Sequence, residues 1–414
     1  MKLANLLIPP CVRGFASTAN TFDVDIENGV VAGIEPARSP GEAASGTLLP
    51  CPADLHVHID KTYVVGTTGA PPGDLFQAIA RMAAHRATWS ADDLGRRMQR
   101  ALLDAYGCGT RAMRTHLDWA EPQPPLALEV FERQRAAWRG RLSLQCVSLT
   151  PLDLFDDADP SALVPSDCGE RIAAAVAAAN ARCDRAHGES ALLGAFVYRN
   201  DRLQHKLRRV FDLALRHDLD LDFHVDEGLH PHAEGLRAIA ELAIHTNYRG
   251  RVTCGHACSL AMQPLALATS TLQLCARAGI HLVSLPTTNL HLQGAWDATP
   301  VERGITRIGE ARANGVATSI ATDNVADAFY PYGSYDLLET FGLGVQVAHL
   351  SPADDWLRTI TTHPARAMGL GWDGSIAAGC PADLLLLGAR DGFELLTPAG
   401  RRRRVMRGGA FIDT

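Results

Sequence analysis

Lysine is almost absent from this chain. Of 39 basic residues in 414, only Lys2, Lys61 and Lys206 are lysines. Arginine carries the rest, a bias that points to GC-rich coding and not to a function. The net charge is −7, which excludes the electropositive footprint of a nucleic-acid binder. Four arginines at 401–404 lie between apolar segments and read as a solvated strand or turn face. No run of eighteen apolar residues occurs, so no membrane span is expected. The apolar start of the chain is broken by Pro9 and Pro10 before it reaches signal-peptide length. It reads as a first strand, and a cytoplasmic protein is expected. A disulfide framework is also missing: the ten cysteines are scattered through apolar segments and read as reduced core thiols. Cys254 and Cys258 flank a histidine, but no second pair stands at zinc-site spacing.

What is present fits an ordinary globular enzyme, with 47% hydrophobic and 21% charged residues. Roughly the first fifty and last forty residues read as short β segments separated by Gly, Pro and Asn-Gly turns. Between them, eight apolar strand patterns (55–58, 112–118, 142–149, 193–198, 219–226, 252–256, 280–285 and 316–323) alternate with amphipathic helical stretches such as 94–106, 206–217 and 236–244. Alternation of this kind implies parallel strands with helical crossovers. The expected fold is α/β: a (β/α)8 TIM-type barrel over 51–369, beside a small composite β-sandwich domain built from 1–50 and 370–414. In such a barrel the active site lies at the C-terminal strand ends.

Those ends carry unusual chemistry. Strand one finishes in His56-Val57-His58, two imidazoles on one face of a strand. Strand five ends in His224-Val225-Asp226-Glu227, strand six in Gly255-His256, and strand eight in Thr322-Asp323-Asn324. An apolar strand gains nothing from such an ending unless it faces a polar site. Three neutral imidazoles (His56, His58, His224) with the Asp323 carboxylate suit one divalent ion, Zn²⁺ or Fe²⁺, with a position left for water. The ion lowers that water's pKa toward neutrality. Asp323 is then the acceptor for the water's proton, Glu227 the donor to the leaving side, and His256 the group that holds the water or the developing oxyanion. A two-metal site of this type needs a bridging carboxylated lysine on strand four. That strand has none, and Lys206 lies beyond it, so a single ion is expected.

At these residues the chain resembles the amidohydrolase superfamily, in particular its bacterial cytosine deaminase-like branch, which includes relatives acting on N-isopropylammelide. The resemblance rests on segments in family order: 56–62 (HVHIDKT), 114–118 (RTHLD), 223–227 (FHVDE), 255–260 (GHACSL), 288–293 (TNLHLQ), and 322–325 (TDNV) followed by 330–333 (YPYG). It implies a single Fe²⁺ or Zn²⁺ at His56, His58, His224 and Asp323, proton transfer to a ring nitrogen by Glu227, and water positioning by His256.

The departures lie where the substrate would be read. The family's second acidic residue is here Asn324, its tryptophan is Phe329, and the segment 148–153 offers Thr150 but no glutamine. Asn324, Phe329, Asn289 and Thr150 are therefore the candidate substrate contacts, and cytosine itself is not implied. The expected function is metal-dependent deamination of a small nitrogen heterocycle. A cyclic amide or imide hydrolase that opens a ring is the alternative, and a catalytically silent scaffold a further one. The expected partner is that small heterocycle, with a homo-oligomer as a weaker expectation. His116 and Asp118 read as partners behind the site, Lys61 as an ion-pair member of the strand-one loop, and His230 and His232 as surface residues of a loop broken by Pro231.

Overall fold

The computed structural model describes residues 1–38, 43–69, 73–157 and 167–413. The chain begins with four strands, β1 (Lys2–Leu7), β2 (Thr21–Glu27), β3 (Val30–Pro36) and β4 (Gly46–Pro50). Asn28 and Gly29 both take positive φ, +51° and +80°, the backbone that a tight hairpin between β2 and β3 needs. Eight barrel strands follow: β5 (Ala53–Val57), β6 (Ala112–Asp118), β7 (Ser143–Pro151), β8 (Ser190–Val197), β9 (Leu221–Val225), β10 (Val252–His256), β11 (His281–Ser284) and β12 (Ala317–Ile320). The chain closes with β13 (Leu384–Leu387), β14 (Arg403–Arg407) and β15 (Ala410–Phe411).

The two β-rich ends meet as expected. They form one continuous seven-stranded sheet in the order β15-β14-β13-β4-β1-β2-β3. Strand β13 pairs antiparallel with both β4 and β14, so the C-terminal strands complete a sheet that the N-terminal ones begin. Phe22, Val24, Leu48, Leu385 and Val405 share one core with Leu337, Phe341 and Val345 of the helix Leu337–Val347.

Strands β5 to β12 pair in chain order, all parallel. The ring closes where Val57 bridges Asp323 and the Asp323 N–H donates to the His56 carbonyl at 2.9 Å. Thr322 reinforces that seam, its hydroxyl donating to Asp54 at 2.6 Å. The crossover helices follow their sequence signals. In the helix Ala91–Gly107, Ser90 caps the Asp93 N–H and two acidic residues occupy the first turn. Leu94, Met98, Ala101, Leu102 and Ala105 are its buried stripe.

Three strand patterns run longer in the sequence than in the structure: 219–226, 280–285 and 316–323 are strands over Leu221–Val225, His281–Ser284 and Ala317–Ile320. Asp226 and Asp323 take left-handed backbone, with φ of +50° and +62°, which ends the extended run just where the functional side chains emerge. Lys206 lies on the helix Leu203–His217, paired with Asp153 and Asp201 at 2.7 and 2.6 Å. Among the described residues, no helix is long and apolar enough to cross a membrane.

Candidate metal centre and its cavity

Inside the barrel, below the strand ends, a buried polar layer sets the floor. Arg114 on β6 donates to Gln145 (3.0 Å), Asp222 (2.8 Å), Thr253 (3.1 Å) and the Ala367 carbonyl (3.1 Å). Gln145 also donates to the carbonyls of Gly188 and Met368, which fixes it well below the mouth. The other oxygen of Asp222 faces His116 Nε2 at 3.2 Å. The His116 ring lies against that of His56, centroids 3.9 Å apart. His116 thus orients a neighbouring imidazole from beneath.

Above this layer four donor atoms converge. His224 Nε2 lies 3.1 Å from His56 Nε2 and 3.2 Å from His58 Nε2. Asp323 Oδ1 lies 3.2 Å from His58 Nε2 and 3.6 Å from His56 Nε2. Donors held tetrahedrally at zinc–nitrogen distance would stand about 3.4 Å apart. Both oxygens of Asp323 are buried without a hydrogen-bond donor, a costly arrangement in a protein interior unless a cation takes their charge. Burial and the surrounding positive groups hold His56, His58 and His224 well below the usual histidine range, in the neutral form that ligation needs. The His58 ring is turned by its Nδ1 contact with the His116 carbonyl, 3.2 Å, which leaves Nε2 facing the cluster. His116 and His256 also bring a nitrogen near this group. His116 Nε2 faces Asp222, and His256 Nδ1 faces Asn289 and Glu227, while His256 Nε2 is buried without a partner. The residues present fit one divalent cation.

Gly255 makes the convergence possible. A Cβ there would stand 2.9 Å from two atoms of the His56 ring, so glycine on β10 is what lets His56 occupy its place.

Glu227 and His256 stand beside the cluster. Glu227 Oε1 lies 3.4 Å from His256 Nδ1, and Asn289 Nδ2 lies 3.1 Å from the same nitrogen. Burial, with the charge of Asp323 added, pushes the Glu227 carboxyl well above its usual range, which favours the acid form. Burial pushes His256 down to about 4. Its backbone is left-handed (φ +71°), and its carbonyl accepts from Thr306 at 2.6 Å. A carboxyl shifted up beside an imidazole shifted down has the arrangement of an acid–base pair.

These groups open into a cavity whose far wall is apolar. His58, His224, Glu227 and His256 form its polar end, and Leu75, Ile79, Met82, Phe196 and Phe329 its greasy side. Of the candidate substrate contacts, Asn324 and Phe329 line the cavity. Asn324 is fixed by Asp327, 2.7 Å away. Asn289 reaches His256 and braces it from behind. Thr150 is not brought in: its hydroxyl turns back to the Ser148 carbonyl, 3.3 Å away, while its neighbours Leu149 and Pro151 face the cavity. Sequence reasoning missed the helix Leu75–Arg86, which supplies Leu75, Ile79, Met82, Ala83 and Arg86 to the wall. Its spacing was a readable signal, since these residues share one helical face.

A (β/α)8 barrel with three imidazoles and a carboxylate converging at its C-terminal mouth defines a metal-dependent hydrolase scaffold. Residues 189–412 match the model of the amidohydrolase family. The chain is 36% identical over 429 aligned positions to a pterin deaminase of Rhizobium rhizogenes, covering 99% of this chain and 93% of that protein. It is 23% identical to an N-isopropylammelide isopropyl amidohydrolase of a Pseudomonas species, over 73% of this chain and 69% of that one. Among solved structures, 5-methylcytosine deaminase from Klebsiella pneumoniae superposes with a TM-score of 0.83 at 26% identity, covering 100% of this chain and 98% of that one. The chain belongs to the amidohydrolase family.

Proposed function

We propose that this amidohydrolase deaminates a 2-amino-4-oxo nitrogen heterocycle of the pterin class, with one Zn²⁺ or Fe²⁺ held by His56, His58, His224 and Asp323. It is a hydrolase of carbon–nitrogen bonds outside peptides. The observation that carries the reading is a buried carboxyl, Glu227, that opens into the same cavity as His58, His224 and His256. The choice of ring rests on the 36% identity to a pterin deaminase along nearly the whole chain. An apolar wall that admits a flat fused ring supports it.

When bound, the ion lowers the pKa of a water toward neutrality. Asp323 would accept that water's proton as the water oxygen adds to the amine-bearing carbon. Glu227 gives its proton to the adjacent ring nitrogen, so no negative charge builds there. His256, neutral and braced by Asn289, hydrogen-bonds the oxygen side of the tetrahedral carbon. The proton held by Asp323 passes to the amine, the C–N bond breaks to release ammonia, and the proton of the added hydroxyl returns to Glu227, leaving a ring carbonyl and the starting acid.

Ammonia release from pterin, cytosine and N-isopropylammelide by the metal-loaded protein tests this, with Glu227→Gln as control. Ammonia from pterin, lost in the variant, is the expected result. Ring opening of a cyclic amide or imide by mass change, without ammonia, would replace it with the alternative hydrolase. A protein that holds no metal on elemental analysis would be a silent scaffold.

A further inference from the structure

Lys61 is one of three lysines in the chain, and its side chain is 3% exposed. It follows the strand that carries His56 and His58, and it lines the cavity beside Glu227 and Phe329. Among the described residues its ammonium donates to one acceptor, Asp118 Oδ1. The second Asp118 oxygen faces Arg86 at 3.3 Å, and the Asp118 N–H donates to Asp60 at 2.9 Å. On the other side the Phe329 ring centroid is 5.6 Å away. Burial alone would drive this amine toward neutrality, but Asp118 and Asp60 more than offset it and keep it charged.

An ammonium has three donors and is strongly hydrated in water. Here one donor is used, an aromatic face covers part of the rest, and the remaining side opens on a cavity walled by Leu75, Ile79, Met82 and Phe196. These four side chains offer no acceptor, and Glu227 and Asn324 elsewhere in the lining make no hydrogen bond to the amine. A ligand that reaches across the apolar side can supply one, and the enclosed apolar space suits a polarised ring oxygen better than a fully charged carboxylate or phosphate. Asp118 and Phe329 fix the amine, so it selects as well as attracts.

We infer that Lys61, held by Asp118 and Phe329, is a specificity-determining residue that reads a ring carbonyl of the substrate, the 4-oxo group in the pterin class. This rests on the deaminase reading and names what that site demands of its substrate. An amino-heterocycle without a carbonyl near the amidine should be a poor substrate, because it would cover the ammonium's remaining donors without offering them an acceptor.

The test uses two ligands that carry no amine to release. Lumazine (2,4-dioxopteridine) and pteridin-2-one share the fused ring and the 2-oxygen and differ in the 4-carbonyl. Binding to the metal-loaded protein is followed by ligand fluorescence. The wild type should prefer lumazine, and Lys61→Met should lose roughly 10- to 150-fold of lumazine affinity, the range of one hydrogen bond to a charged group. Pteridin-2-one affinity should change little. Lys61→Met leaves Asp118 without its amine, so the double substitution K61M/D118N, which removes the pair as a unit, is measured beside it. Lys61→Arg should retain the preference for the carbonyl. Equal losses for both ligands, or none, would overturn the inference. Preferential lumazine binding through Lys61 without ammonia release from pterin would sink the deaminase reading alone. Ammonia release from pterin and 2-aminopteridine lowered equally by K61M would sink the carbonyl reading alone.

Discussion

The floor and the wall of the cavity are made from different kinds of chain. The floor is strand-borne: its imidazoles and carboxylate project from β5, β9, β10 and the turn after β12, and the barrel's hydrogen-bond ladder fixes their spacing. The wall is largely one helix, Leu75–Arg86, laid over the mouth, with Phe196 and Phe329. On the floor each donor is positioned by something beneath it: His56 by His116 and Gly255, His58 by the His116 carbonyl. On the wall the Lys61–Asp118–Arg86 chain and the Asn324–Asp327 pair have comparable definition. A scaffold divided this way keeps its chemistry on rigid elements and lets substrate choice vary on a peripheral one.

The sharpest break should come on the floor. His224→Ala removes the donor common to both closest nitrogen pairs. Metal affinity should fall by more than the ~100-fold upper range for outer-sphere changes, read by elemental analysis after dialysis against a chelator, and turnover should vanish with it. Glu227→Gln should keep the metal and lower kcat about 10²- to 10⁴-fold, read by ammonia release. Gly255→Ala must displace the His56 ring or β10. It should weaken metal binding about tenfold and cost about 1–3 kcal/mol of stability, measured by metal titration and denaturant unfolding. A wall change behaves differently. Met82→Ala should raise KM about tenfold, within the range of a lost apolar contact, while metal content stays at the wild-type level. If Met82→Ala instead strips the metal, floor and wall are not separable. The smallest effect should come from Ser90→Ala outside the cavity, about 1 kcal/mol of stability from a lost helix cap with unchanged kinetics.

The floor was the legible part, for a physical reason. A strand that ends in His-x-His or His-x-Asp-Glu breaks the apolar pattern of a parallel barrel, so its polar residues stand out where burial demands a partner. The wall was not legible in the same way. Leu75, Ile79 and Met82 are spaced like any core-facing helical stripe, and periodicity says that such a face must be covered, not by what. Thr150 shows a second limit. Side chains alternate along β7, so a one-residue ambiguity in parity decides whether Leu149 and Pro151 or Thr150 face the cavity. Lys61 was visible as an ion-pair residue, yet its nearness to Glu227 comes from the fold of the strand-one loop and not from any spacing. The chain-end β segments were readable from their turn signals, and their union in one sheet came from the sequence's symmetry of style at its two ends.

The seam where the Asp323 N–H meets the His56 carbonyl has a consequence for the chain during its own synthesis. The neighbouring Asp54–Thr322 contact joins residues 268 apart, and β13 must reach back to β4 to complete the other sheet. A nascent chain that has not yet emerged past Asp323 owns three of the four side chains proposed to hold the ion, but not the carboxylate that joins them. A chain that stopped there would leave both sheets without their closing partner, so the barrel and the outer sheet are completed together by the last quarter of the sequence.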